Sequence, residues 1–104
     1  MKIIAAMVQD QDVDELLGAL TERGFRATKI HTTGGFLRHS SSMLFIGVET
    51  DEMVEDALAL IRAHCHPRRQ LVYPHGTTLP EEAIEVEVGG AVIFVWEAER
   101  YERL

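Results

Sequence analysis

Apolar positions follow two rhythms along this chain, and their alternation lays out the elements. Lys2 to Val8 is an apolar run of strand length without polar alternation, the pattern of a strand covered on both faces. Val13, Leu16, Leu17 and Leu20 then fall at i, i+3, i+4 and i+7, on one face of a helix. Asp12 stands as its N-cap with Glu15 three residues on, the spacing of a capping box, and Gly24 follows as the C′ residue. Phe25 to His31 reads as a second strand. Arg26, Thr28 and Ile30 share one of its sides, and Phe25, Ala27, Lys29 and His31 the other.

A Thr-Thr-Gly-Gly-Phe corner and three serines interrupt the pattern before a third, nearly continuous apolar strand from Met43 to Glu49. Thr50 or Asp51 caps a second helix whose buried stripe is Val54, Ala57, Leu58 and Ile61. Pro67 cannot extend that helix and ends it near Cys65 or His66. Arg68 to Ala83 contains Pro74, Gly76 and Pro80 and is the most loop-like part of the chain. Ile84 to Val88 alternates, Gly89-Gly90 supplies a tight turn, and Ala91 to Glu97 reads as a last buried strand before a polar tail.

The resulting order, β-α-β-β-α-β, is that of an α+β ferredoxin-like sandwich with two helices on one face of an antiparallel sheet. Two helices cover only one face, yet the first, third and last strands lack a clean polar side. A monomer would expose a large apolar patch, which soluble proteins of this size rarely do, so the pattern predicts an oligomer.

Composition narrows the function. A chain of 104 residues fits one domain, and 46% hydrophobic with 26% charged residues is ordinary globular usage. The net charge of −7 argues against a general nucleic-acid binder, which needs many cations to neutralise phosphates. One cysteine allows no disulfide framework within the chain and fits a reducing cytoplasm. No apolar run approaches the length of a membrane span, and the first strand is too short for a signal segment.

Candidate chemistry is sparse. His64-Cys65-His66, with His31, His39 and His75 elsewhere, offers metal-ligand types. Successive helical residues point about 100° apart, however, so these do not converge, and no metal site is assigned. Ser40 to Ser42 beside His39 lack an identifiable orienting group or oxyanion site, so no catalytic residue is assigned. Neither phosphate-loop motif, G-x-x-x-x-G-K-[ST] or G-x-G-x-x-G, occurs. What remains is the glycine corner, led into by Arg26 and Thr28, where backbone amides and a cation suit a small anionic ligand and Phe36 could stack on a base.

The opening KIIAAMVQDQD, the segment FRATKIHTTGGFL, the Ile46-Gly47-Val48 strand end and the closing EVEVGGAVIFV resemble the PII-like cyclic-di-AMP receptor family. The likeness runs in order along nearly the whole chain, weakening between about Pro74 and Ala83 and in the last few residues. TTGGFL and EVEVGGA together are far more specific than either glycine pair alone. The resemblance implies a non-enzymatic signalling protein: one PII-like domain over residues 1–104, assembled as a homotrimer and acting on an unidentified downstream protein. It implies a T-loop at about 31–43 and a B-loop at about 67–90. Cyclic-di-AMP would be a ligand rather than a cofactor, held in clefts between subunits. By positional match Arg26, Thr28, Gly35, Phe36, Leu37, Ser41 and Gly47 would form the pocket.

Arg26 would meet a phosphate, Thr28 would add a hydroxyl, Phe36 would touch a base, and the Gly35 to Leu37 and Gly47 backbones would read adenine edges. One departure stands out. The family's Gly-Asn-Thr-Thr run is replaced here by His39-Ser40-Ser41-Ser42-Met43, with Ser41 at the Asn position. A single hydroxyl cannot reproduce a two-sided amide contact. The tail also differs, with Arg103 where a polar residue of the family reaches the ligand. The alternative reading is therefore a trimeric PII-like adaptor with another adenine nucleotide, a divalent metal held by His64, His66 and His75, or no ligand.

Overall fold

A computed structural model describes residues 1–32 and 40–104. Strand β1 (Lys2–Gln9) leads into helix α1 (Asp10–Glu22); β2 (Ala27–His31) and β3 (Ser41–Val48) follow, then α2 (Asp51–Cys65). A hairpin of β4 (Arg68–Val72) and β5 (Ile84–Val88) comes next, with 3-10 turns at Pro74–Gly76 and Pro80–Glu82, and β6 (Ala91–Glu97) closes the order.

The main sheet is antiparallel with order β2-β3-β1-β6. Both helices pack on one side of it, the arrangement of a ferredoxin-like sandwich. Strand periodicity puts Ile4, Ala6, Val8, Leu44, Ile46 and Val48 on that side. They meet Val13, Leu16 and Leu20 of α1 and Val54, Ala57 and Ile61 of α2 to form the core. Burying these ten or so branched side chains, at about 1.5–3 kcal/mol each, is the main stabilising contribution.

The helix ends follow local chemistry. After α1 the Gly24 amide donates to the Thr21 carbonyl and the Phe25 amide to the Leu20 carbonyl, with Gly24 at φ +85°; this is a Schellman closure. Thr50 caps α2, its hydroxyl accepting from the Met53 amide at 3.1 Å. The start of α1 departs from expectation. The helix begins at Asp10, Gln9 precedes it without a side-chain cap, and Asp12 lies inside the first turn. Asp12 is 6% exposed and takes the Arg68 guanidinium at 2.7 Å. A carboxylate committed to a distant cation is unavailable for capping.

The largest correction concerns Arg68 to Ala83. Its first five residues form β4, which pairs with β5 from Arg68 opposite Val88 to Val72 opposite Ile84. The strand expected at Ile84 to Val88 therefore belongs to a separate two-stranded sheet. Pro74 and Pro80 lie beyond the pairing, so they punctuate the hairpin without preventing it. The last strand is also less covered than its apolar run implies, with Phe94, Val95 and Trp96 between 42% and 47% exposed along the edge of the sheet.

At its root the hairpin is tied to the core by polar contacts. Arg68 reaches Asp12 of α1, the Gly89 amide donates to Gln9 Oε1 at 2.7 Å, and the Gly90 amide donates to the Cys65 carbonyl. Gly89 and Gly90 both have positive φ, at 86° and 81°. A Cβ on Gly89 would collide with the His66 carbonyl oxygen and lie 2.7 Å from the Arg68 guanidinium. Glycine is required there by both dihedral and space.

Candidate functional site

The sheet face away from the helices carries Ile3, Ala5 and Met7 of β1, with Thr28 and Ile30 of β2. Met43, Phe45 and Gly47 of β3 and Val92, Phe94 and Trp96 of β6 continue it. At the end of this face where β2 begins and β3 ends lies an open groove of about 630 Å³. This is within the roughly 300–1,000 Å³ usual for ligand clefts. Arg26, Thr28 and Gly47, three of the expected site residues, line it together with Ile3, Phe45 and Met53.

Their convergence follows from the register. Thr28 faces Phe45 across the β2–β3 ladder and Ala27 faces Ile46, so Arg26, just ahead of β2, comes level with Gly47. The Schellman closure at Gly24 sets the angle at which the chain enters β2. Among the described residues Arg26 makes no ion pair, and its side chain is exposed at the groove. Gly47 is the odd member. A Cβ there would meet nothing closer than the Met1 sulfur at 3.6 Å, an ordinary contact. Its φ also falls outside the positive range that favours glycine. A strand-interior glycine that neither packing nor dihedral demands is a position where something else approaches the backbone.

Ser41 lies on the same sheet face but at the opposite end of β3, six residues from Gly47 and so about 20 Å along the strand. The Thr32 hydroxyl donates to its carbonyl at 3.2 Å, and the two hydroxyls are 3.4 Å apart. It does not line the groove. Gly35, Phe36 and Leu37 lie outside the described residues.

The chain's last residues supply what sequence reasoning largely missed. Arg103, at the tail position that the resemblance singles out, lines the groove, and with it do Arg100 and Tyr101, for which the sequence shows only a polar tail. A net acidic chain that places two arginines within its final five residues carries a signal, but nothing in their spacing says where the tail lies.

The other candidates are placed elsewhere. His64 is partly buried, its Nδ1 2.9 Å from the Leu60 carbonyl and its Nε2 4.0 Å from Glu15, whereas His66 is exposed and Cys65 is buried. The three side chains diverge, and among the described residues no three His, Cys, Asp or Glu side chains gather around one point. Burial, reinforced by the nearby Asp12 charge, pushes the Cys65 thiol up to about 11, so it is not a ready nucleophile. Ser42 is fully buried and donates to Asp10 Oδ1 at 2.8 Å, which ties β3 to the start of α1. Among the described residues no helix is long and apolar enough to cross a membrane.

The comparisons with known proteins agree with this architecture. A solved structure described as a functionally unknown protein from Pediococcus pentosaceus ATCC 25745 is 35% identical to this chain. The likeness covers 99% of this chain and 96% of that one, with a TM-score of 0.80. The family model described as cyclic-di-AMP receptor matches residues 1–104. Matched over its whole length by that family model, the chain belongs to the cyclic-di-AMP receptor family.

Proposed function

We propose that this protein is a PII-like signalling receptor that binds cyclic-di-AMP between the subunits of a homotrimer in the cytoplasm. Ligand occupancy reorders the T-loop and B-loop and so changes the contacts offered to a downstream protein. Catalysis forms no part of this role. The observation that carries the reading is the groove, where an exposed arginine without an ion pair among the described residues, a strand hydroxyl and a glycine not required by the fold meet on one surface. Arg26 offers charge-assisted donors to a phosphodiester, and Gly47 lets a planar base approach the strand backbone.

Two further observations favour a site between subunits. The groove is open on the apolar sheet face, where Phe94 and Trp96 are each more than 40% exposed. Thr28, Ser41 and Gly47 share that face but span its length. A neighbouring subunit laid on the face would roof the groove and bury the apolar strip together. Loop reordering then follows as a population shift, since the ligand favours loop conformations that contact it.

A thermal-shift screen with cyclic-di-AMP, ATP, cyclic AMP and zinc tests the proposal, because a ligand that binds only the native state raises its melting temperature. Cyclic-di-AMP is expected to give the largest shift, and Arg26→Ala to abolish it with the unliganded melting temperature unchanged. A larger response to zinc or to another nucleotide would replace the reading with that of an adaptor whose ligand has changed.

A further inference from the structure

The hairpin of β4 and β5 packs chiefly on itself, so its pose on the core is set at its root. Two of the root contacts converge on one short stretch, Gln9 and the first turn of α1. The Arg68 guanidinium grips the Asp12 carboxylate with both prongs, at 2.7 and 3.4 Å, and the Gly89 amide donates to Gln9 Oε1 at 2.7 Å. The same stretch also holds the start of β3. The Asp10 amide donates to the Ser40 carbonyl at 2.9 Å, and the Ser42 hydroxyl donates to Asp10 Oδ1 at 2.8 Å. Gln9, Asp12 and Ser42 are the buried polar residues among those described, and all three take part in these contacts. Stability alone does not call for them, because apolar side chains of similar volume often serve as well in buried positions. Hydrogen bonds are directional, and they fix how one element sits against another.

We infer that Gln9 and the first turn of α1 form a polar hub that couples the start of β3 to the pose of the hairpin. A shift of Ser40 and Ser42 moves Asp10. Asp10 and Asp12 belong to one helical turn, a rigid element, so the movement reaches Arg68. An open cleft of about 480 Å³ separates the hairpin residues Gln70, Val72, Val86 and Val88 from the hub and Ser40, which leaves the hairpin room to respond. In the receptor reading the two ends of this path are the roots of the T-loop and the B-loop. The coupling is nevertheless a property of the chain without ligand, and it stands or falls independently of that reading.

Hydrogen exchange of the full chain without ligand, arranged as a double-mutant cycle, tests the coupling. Ser42→Ala cuts the path at β3. Asp10 is exposed, so its freed carboxylate returns to water and the variant is expected to fold. Asp12→Leu/Arg68→Met cuts the path at the hairpin without leaving a buried charge unpaired. If that background does not fold, Arg68→Lys, which keeps the charge and loses the fork, takes its place. Ser42 bonds to Asp10 and to no side chain of the hairpin, so without a hub the two cuts would act independently. Ser42→Ala is expected to speed exchange of the β4 and β5 amides roughly threefold or more in the parent, and to leave them unchanged where the hairpin end is already cut. A general loss of stability would instead speed them equally in both backgrounds. That result, or changes confined to β3 and α1, would overturn the inference.

Discussion

Gly47 has no side chain in the interior of β3, and the fold supplies no reason for it. The space above its Cα is open as far as the Met1 sulfur, and the groove lies directly there. Gly47→Ala should therefore leave stability unchanged or slightly raised, since alanine costs less backbone entropy in a strand by roughly 0.5–1 kcal/mol. The added methyl should weaken cyclic-di-AMP binding by about tenfold or more, through lost approach to the backbone. Chemical denaturation and ligand titration of the same variant separate the two effects. A loss of stability with unchanged affinity would make Gly47 a folding residue. Asp12 shows the opposite case, a residue with a role that local pattern misreads. Its position fits a capping box, but the cation that claims it is 56 positions away. No local rule registers a partner at that separation.

At the scale of elements, the helices and the strands of the main sheet are legible because each shows its own periodicity and end signals. Leu16 and Leu20 mark the face of α1, Gly24 its closure and Thr50 the start of α2. The hairpin is less legible. β4 is five residues, Arg-Arg-Gln-Leu-Val, with no alternation of polar and apolar positions, set among prolines that read as loop. The contacts that anchor the hairpin, Arg68 to Asp12 and the Gly89 and Gly90 amides to Gln9 and Cys65, reach partners far from β4 in sequence or outside it. Of the residues that line the groove, Arg26, Thr28, Gly47 and Arg103 are legible through the resemblance, whereas Arg100 and Tyr101 appear there only when the β1–β6 ladder carries the tail to it. The hairpin's dependence on its root gives a test. Gly89→Ala combines a left-handed dihedral with a collision against the His66 carbonyl, and should cost about 3 kcal/mol or more. Hydrogen exchange should show the loss concentrated in β4 and β5 and around the Cys65–Gly90 contact. Uniform protection identical to the parent would remove Gly89 from that role.

The whole molecule is extended for its size. Its radius of gyration is 16.2 Å, where about 13 Å is typical of a compact domain of this length. Its accessible surface is 7259 Å², against roughly 5,900 Å² expected from its mass. Two features contribute to the excess: the hairpin, whose strands pack chiefly on each other, and the apolar face of the main sheet. A two-stranded hairpin is marginal alone in water, and an uncovered apolar sheet face favours association. The proposed trimer would cover the apolar face. Trp96 is 44% exposed on that face, so Trp96→Glu should leave the subunit folded while placing a charge in the interface. Sedimentation equilibrium should then give a monomer mass where the parent gives three subunits. A trimeric variant would move the interface elsewhere on the molecule.

The most direct test of the receptor assignment is isothermal titration of the purified protein with cyclic-di-AMP. The account predicts saturable binding with one ligand per subunit, three per trimer, and none by Arg26→Ala. Absence of heat and of competition at high ligand concentration, in a protein shown to be folded and trimeric, would contradict it.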